Sequence, residues 1–313
     1  MRIVVLDDME MTSKQRADIQ ELGDVSIFEG IPGDTEEIFY RAKDAEILIT
    51  SWTKLSEEVL SFIPSLRFIS VWATGYDSVD ISYATSRNIK VSNIPAYAAD
   101  SVAELAIGLM LSVLRKIPRA DENVRKTKEL KWQFFQGREL RGKTLGVLGT
   151  GNIGKRVLEI SKAFGMDLIA FDLFPSQKLE HEFGVKYLGF EELFSSSDIV
   201  SLHLPLLSST ARIVSEKEFG LMKPQAIFVN AAREALVDQD ALVKALETNS
   251  IAGAGLDDID LKNPSSEILL DLENVVLTPH IGFNTGEAVR NKTDICIDNV
   301  KHFLNGHPRN LVN

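Results

Sequence analysis

The sequence predicts an α/β protein built as two doubly wound parallel-sheet domains, and three observations carry that expectation. Short apolar runs of strand length alternate with helical patterns along nearly the whole chain. The alternation comes in two sets, separated by one long helix with an apolar face that begins near Asp100. A complete G-x-G-x-x-G, Gly149-Thr150-Gly151-Asn152-Ile153-Gly154, stands between a strand and a helix in the second set only. At 313 residues the chain has the length for two cores.

Residues 1 to about 98 carry the first set. The runs Ile3–Leu6, Ile47–Thr50, Phe68–Val71 and Ile89–Val91, with a weaker one at Val25–Phe28, predict strands. Helix candidates lie between them, around Gln15–Leu22, Glu36–Ala42, Glu57–Phe62 and Ile81–Ser86. Strand and helix in turn imply a parallel sheet covered on both faces, because each parallel crossover lays a helix over the sheet.

In the long helix Val102, Leu105, Ala106, Leu109, Met110 and Val113 share one face. Ser101 with Glu104 has the spacing of a capping box. A polar, basic stretch from Arg115 to Arg141 leads into the second set, which opens with the strand Leu145–Leu148 and the glycine turn. A helix follows with Val157, Leu158, Ser161 and Phe164 at helical spacing, stopped by Gly165, and then a strand Leu168–Phe171 ending on Asp172.

In such a turn Gly149 permits the tight bend, Gly151 lets a pyrophosphate approach the backbone, and Gly154 lets helix and strand pack closely. The N–H groups at the helix start, with Asn152 and Ile153, face the phosphates. Asp172 lies 18 residues past Gly154, near the ~20 expected of the acid that binds a ribose 2′-hydroxyl. Leu173, Phe174 and Pro175 follow it, with no cation for a 2′-phosphate, so NAD is expected rather than NADP.

Strands at Ile199–Leu202, Ala226–Asn230, Ile251–Leu256 and Val275–Leu277 end respectively in His203, Ala231-Ala232-Arg233, Asp257 and Thr278-Pro279-His280. In an open parallel sheet those ends converge on the ligand crevice. An amphipathic helix from about Gly286 to Phe303 closes the chain.

Composition excludes several classes of function. Hydrophobic content of 44% and charged content of 25% are those of an ordinary globular protein. A net charge of −11 repels nucleic-acid phosphates and acidic membranes, so neither is an expected partner. The single Cys296, between Ile295 and Ile297, excludes an internal disulfide, offers no metal cluster and reads as a small core residue. The chain opens directly into MRIVVLD without a signal-peptide pattern, and no 18-residue apolar run is present; a reducing cytoplasm is the expected compartment.

Taken with their order, these motifs give the chain a family resemblance. Gly75-Tyr76-Asp77-Ser78-Val79-Asp80, Ser101-Val102-Ala103-Glu104, Gly142-Lys143-Thr144-Leu145-Gly146, His203-Leu204-Pro205, Asn230-Ala231-Ala232-Arg233, Gly255-Leu256-Asp257 and Thr278-Pro279-His280-Ile281-Gly282 together resemble the D-isomer-specific 2-hydroxyacid dehydrogenases, nearly end to end. The resemblance implies an NAD-dependent oxidoreductase that interconverts a small 2-oxo acid and a D-2-hydroxy acid. It also implies two Rossmann-like domains: a discontinuous substrate-binding domain of residues 1–100 plus 284–313, and an inserted NAD domain of residues 101–283, with substrate in the cleft. Its counterparts of the helix from Ser101 to Leu114 pack across a two-fold axis, so a homodimer is expected.

Residue roles follow from both lines. A 2-oxo acid needs a cation of fixed geometry, and Arg233 can bind its carboxylate bidentately and polarise the carbonyl. His280 can give a proton to the developing alkoxide and take one in reverse. The resemblance adds His203, Pro205, Ala231 and Asp257 beside the cofactor, and the backbone of Ala73, Thr74 and Gly75 at the substrate carboxylate.

The chain departs from the family pattern in three places. The glutamate that normally pairs with the histidine is replaced in the loop Asp257-Asp258-Ile259-Asp260-Leu261-Lys262-Asn263-Pro264, where Lys262 or Asn263 stands at its position; Asp258, Asp260, Asn263 or no residue takes its place. Glu234-Ala235 follows Arg233 where small glycines are usual, and Ala73-Thr74 stands where Val-Gly is usual. The missing glutamate motivates a second reading from another class, an NAD-sensing corepressor-like interaction protein of the same fold. A third, the formate dehydrogenase type, rests on Asn263 alone. Trp52 is read either as a pocket wall or as a packed core indole, and the substrate is left unnamed.

Overall fold

The computed structural model describes all 313 residues. The chain divides into two compact units, residues 1–98 with 284–313, and residues 99–283.

The first unit alternates β1 (Arg2–Val5), α1 (Ser13–Gln20), β2 (Asp24–Ile27), α2 (Thr35–Ala42), β3 (Ile47–Thr50), α3 (Glu57–Ser61), β4 (Phe68–Val71), α4 (Ile81–Ser86) and β5 (Lys90–Ser92). Its sheet is parallel throughout, in the order β2-β1-β3-β4-β5. Strand alternation sends Ile3, Val5, Ile47, Ile49 and Phe68 to one buried face, and Val4, Leu48, Ile69 and Val71 to the other. Both faces are apolar because both are covered.

The second unit starts with α5 (Ala99–Arg115) and α6 (Ile117–Thr127). It continues as β6 (Thr144–Leu148), α7 (Asn152–Ala163), β7 (Asp167–Phe171), α8 (Gln177–Phe183), β8 (Lys186–Tyr187), α9 (Phe190–Ser196), β9 (Ile199–Leu202), α10 (Glu216–Leu221), β10 (Ile227–Asn230), α11 (Gln239–Glu247), β11 (Gly253–Leu256), α12 (Ser266–Asp271) and β12 (Val275–Leu277). All seven strands are parallel, in the order β12-β11-β10-β9-β6-β7-β8, so the winding reverses between β6 and β9. Helix α13 (Gly286–Leu304) then rejoins the first unit. There it lies on β4: the Phe303 and Phe68 rings stack at 4.4 Å, and Thr293 accepts from the Trp72 indole at 3.1 Å. Cys296 is buried against Ser70, as a small core residue.

Two local expectations are corrected. Helix α5 begins at Ala99, so Ser101 sits inside its first turn rather than at its cap. The basic stretch after Arg115 contains α6, a helix with no buried residue although Ile117, Ala120 and Val124 recur at helical spacing; it carries i,i+4 ion pairs such as Arg125–Asp121 at 2.7 Å. Within its own unit α5 packs against α7, β10 and β11, with Leu105, Leu111 and Val113 half-buried. Among the exposed apolar side chains, Leu130, Trp132 and Phe134 follow α6 and are 85%, 78% and 72% exposed. No helix is long and apolar enough to cross a membrane.

Candidate functional site

Every strand of the second sheet points the same way, so Gly149, His203, Ala231, Asp257 and Thr278 emerge along one edge. Gly149 closes β6 at the point where the winding reverses, the position at which open α/β sheets bind ligands. Its φ is +90°, and a Cβ there would lie 2.7 Å from the His203 carbonyl oxygen; only glycine fits. A Cβ at Gly154 would meet the Gly149 oxygen at 1.9 Å, so the helix sits directly on the turn. At Gly151 a Cβ would meet nothing, and Gly151 and Asn152 are exposed. The space over the first N–H groups of α7 is therefore open to a phosphate, and the turn fits the pyrophosphate of a dinucleotide.

Asp172 is tied to the same turn. Its Oδ2 accepts from Thr150 N at 2.7 Å and Thr150 Oγ1 at 2.9 Å, while Oδ1 accepts from Phe174 N at 2.9 Å. Burial alone would raise this carboxyl, but these hydrogen bonds outweigh it and hold the group below the usual carboxylate range. Tyr187 donates to Thr150 Oγ1 at 3.1 Å and fixes the hydroxyl from the far side. Thr150 and Tyr187 went unmarked in the sequence. The middle position of a glycine turn reads as arbitrary until its neighbours are seen.

His203 follows β9 with a ring nitrogen 2.8 Å from Ser201 Oγ, and its Nδ1 is buried without a protein partner. Burial pushes its pKa down to about 4, so the ring is neutral at physiological pH. An orphaned ring nitrogen beside the glycine turn is a ready contact for a cofactor. Pro205 bends the chain away, its carbonyl accepting from Thr210 at 2.6 Å, and Ala231 is buried at the end of β10.

Arg233 comes just after β10, where Asn230 braces the turn by donating to the Arg233 carbonyl at 2.8 Å and accepting from Ala232 N at 3.0 Å. The half-buried guanidinium donates once, to the Ala232 carbonyl at 2.8 Å, leaving the rest of its planar fork for a ligand. Asp257, at the end of β11, is turned inward. Its buried carboxylate accepts from Thr278 Oγ1 at 2.6 Å, Ile281 N at 2.9 Å and Gly282 N at 2.8 Å. Both oxygens accept from the 278–282 loop, and this shapes the histidine's seat.

His280 sits in that loop at φ +55°, a left-handed conformation that a non-glycine residue holds only where its surroundings demand it. Its Nδ1 lies 3.0 Å from Asp258 Oδ2. This decides among the three candidate partners, because Asp260 accepts from Lys262 N and Asn263 from Ser265 N, each at 2.9 Å. Glu234, the residue after Arg233, adjoins Asp258, the two side chains lining one small cavity. That cavity, of about 10 Å³, is also lined by Asn230 and Gln239 and by the apolar Val237, Leu242, Leu256 and Ile259. Burial and the neighbouring Asp258 charge raise the Glu234 carboxyl. Burial would raise Asp258 too, but the hydrogen bond and charge of His280 outweigh it and hold that group down.

In the first unit, Ala73, Thr74 and Gly75 form the loop after β4. Thr74 Oγ1 donates to the Ile94 carbonyl at 2.8 Å and Asn93 donates to the Thr74 carbonyl at 2.7 Å, bonds that stiffen the loop without using its N–H groups. Trp52 is 52% exposed, so the core-indole reading fails for it; the buried indole is Trp72. Asp7, buried at the end of β1, accepts from Ser51 N at 2.7 Å, Trp52 N at 3.0 Å and Thr53 N at 2.8 Å, and so presents the loop carrying Trp52. Lys292 is buried with its ammonium 3.6 Å from the Trp72 ring centroid. The sole sequence signal for either residue is a charge inside an otherwise apolar pattern.

The comparisons with known proteins agree with one another. The model for the NAD-binding domain of D-isomer specific 2-hydroxyacid dehydrogenases matches residues 107–282. A glyoxylate reductase of Thermococcus litoralis is 42% identical over 281 residues, covering 87% of this chain and 85% of its own. Among solved structures, an acyclic imino acid reductase in complex with NADPH and D-Arg superimposes over the full length of both chains at 34% identity and a TM-score of 0.92. A D-lactate dehydrogenase of Aquifex aeolicus, complexed with NAD and lactic acid, does so at 30% identity and a TM-score of 0.85, covering 98% of this chain and 96% of its own.

Proposed function

The chain belongs to the D-isomer-specific 2-hydroxyacid dehydrogenases, NAD-dependent oxidoreductases, and from that premise we propose that it reduces a small 2-oxo acid to the D-2-hydroxy acid with Arg233 as carboxylate anchor and His280 as acid–base group. The single observation that carries this is the contact of 3.0 Å between His280 Nδ1 and Asp258. With Nδ1–H donated to Asp258, Nε2 is the nitrogen left to face the substrate oxygen. Protonated there, His280 donates to the alkoxide as it forms, and Asp258 stabilises the imidazolium until then.

Bound NAD supplies or accepts the hydride. Gly149, Gly151 and Gly154, with the N–H groups at Asn152 and Ile153, would hold its pyrophosphate; Asp172 its ribose; His203 and Ala231 would line its path. Arg233 binds the carboxylate through two parallel N–H bonds and leaves one donor near the carbonyl. The backbone of Ala73, Thr74 and Gly75 belongs to the same proposal as a further carboxylate contact. Asp258 removes the ground for the corepressor-like reading, which rested on a histidine without an acid.

A second reading is favoured by one observation. Two acids beside His280 suit a cationic carbon–nitrogen double bond, and the imino acid reductase shares the whole fold. Oxidation of NADH followed with glyoxylate and pyruvate, each with and without ammonia, tests both. Turnover on the oxo acids alone supports the first reading, and turnover that needs ammonia supports the second. NADH binding with neither sinks both. A homodimer is proposed too, supported by the exposed Leu130, Trp132 and Phe134; sedimentation as a monomer at micromolar concentration rules it out.

A further inference from the structure

Glu234 is unexplained by the roles above. It opens the 3-10 turn Glu234–Leu236 directly after Arg233, and Asp258 lies two residues past the end of β11. Strands β10 and β11 are paired with Asn230 opposite Leu256, so the two carboxyl groups leave the sheet side by side. We propose that Glu234 is a positioning residue for His280 that acts through Asp258: its carboxyl donates a hydrogen bond to Asp258, which in turn accepts from the His280 Nδ1–H. This rests on the reading of His280 as the acid–base group.

Two adjoining carboxyl groups repel each other when both are ionised, which favours one shared proton. It belongs to Glu234. Asp258 is the member that also faces His280, and ionisation there is rewarded by the imidazole. Both carboxyl groups are half-buried, with Leu242 and Leu256 among the residues beside them, which penalises a second negative charge. Other charged groups nearby are engaged elsewhere. Asp238 caps α11 and Arg212 lies 3.8 Å from it, Asp257 holds the 278–282 loop, Asp260 accepts from Lys262 N, and Arg233 donates to Ala232. His280 meets the Asp258 carboxylate directly, and Glu234 lines the same cavity.

The geometry explains why a shorter acid serves here. Asp258 has one methylene fewer than a glutamate and so depends on a second partner to hold its rotamer. Glu234 supplies that partner from the neighbouring strand, donating from one side while His280 donates from the other.

The test uses Glu234→Gln, which keeps a donor, and Glu234→Ala, which removes it. At pH 7 we expect kcat for 2-oxo acid reduction to fall about 10-fold in Glu234→Ala and to stay within about 2-fold of wild type in Glu234→Gln, with NADH affinity unchanged in both. The ratio of wild-type to Glu234→Gln kcat should be near one at acidic pH and fall as pH rises through the ionisation of Glu234, where wild type alone loses its donor. Infrared difference spectra at pH 7 should show one protonated-carboxyl band in wild type that is lost in Glu234→Gln, a readout that needs neither substrate nor turnover. An absent band, or Glu234→Ala with an unaltered kcat and pH profile, overturns the proposal. A wild type that shows the band but turns over no 2-oxo acid would instead overturn the functional reading beneath it.

Discussion

Asp258 Oδ2 and His280 Nδ1 lie 3.0 Å apart, although the two residues are 22 positions apart in the chain and Asp258 precedes the place where a glutamate was expected. The pair forms because Asp257 ties the 278–282 loop to the end of β11, which carries His280 to the residue next in sequence. Asp258→Asn should therefore lower kcat about 10- to 100-fold, as loss of a group that orients a functional histidine typically does. The amide can still meet Nδ1–H but brings no charge to stabilise the imidazolium. NADH affinity measured by fluorescence should not move. Full activity in this variant would remove Asp258 from the relay.

Arg233→Lys should cost about 10- to 100-fold in kcat/KM, the scale of one charge-assisted hydrogen bond of about 1.5–3 kcal/mol. An ammonium is a point charge and cannot span both carboxylate oxygens. Steady-state kinetics on glyoxylate, with NADH binding as the control, would check it. Unchanged turnover would mean that another residue anchors the substrate.

Asp172 holds the glycine turn through Thr150 as well as facing the expected ribose position. Asp172→Ala should narrow the preference for NAD over NADP by about 1–3 kcal/mol, because a charged acceptor for the 2′-hydroxyl and a repulsive charge against a 2′-phosphate are lost together. Titration of wild type and variant with both reduced cofactors gives the two ratios. A wild type that already binds NADPH as tightly as NADH would contradict the assignment. Tyr187→Phe frees the Thr150 hydroxyl from one side and should weaken both cofactors alike.

Burial pushes the Lys292 ammonium down to about 8, while in the unfolded chain it titrates near its ordinary value of 10.5. Between those values the unfolded chain holds a proton that the folded one has released, so stability rises with pH across that window. At pH 7 the buried charge weighs against the fold. Relative to Lys292→Met, wild type should gain stability between pH 8 and 10.5 by an amount on the order of 3 kcal/mol. Cys296, pushed up to about 12 by burial, acts in the opposite sense above its ordinary pKa. Carrying Cys296→Ala in both proteins removes that contribution, which Lys292 itself influences. Denaturant titrations at pH 7.5 and pH 10 measure it, and a pH-independent difference would show that Lys292 titrates normally.

Strand positions were legible in the sequence because their determinant is local. Ile47–Thr50, Phe68–Val71, Ile199–Leu202 and Val275–Leu277 are apolar runs bounded by polar turns, and each is a strand at those residues. The glycine turn was legible for the same reason: Gly149 and Gly154 meet atoms of their own strand–turn–helix unit and of the strand beside it, whatever the rest of the chain does. Helix α6 was not read, because its charges outnumber Ile117, Ala120 and Val124, which do recur at helical spacing. Nor was the fate of the α5 apolar face, because periodicity shows that a face is apolar but not what covers it.

The partner of His280 depended on tertiary structure alone. Asp258, Asp260 and Asn263 are equivalent as residue types within reach of one short loop. The path of that loop is set by the hydrogen bonds of Asp257 to Thr278, Ile281 and Gly282 and by the Asx turns that engage Asp260 and Asn263. Glu234 joins Asp258 only because β10 and β11 are neighbours in the sheet. Pairing between strands brings together residues that sequence order keeps apart, and a proton shared between two acids is a property of that distance.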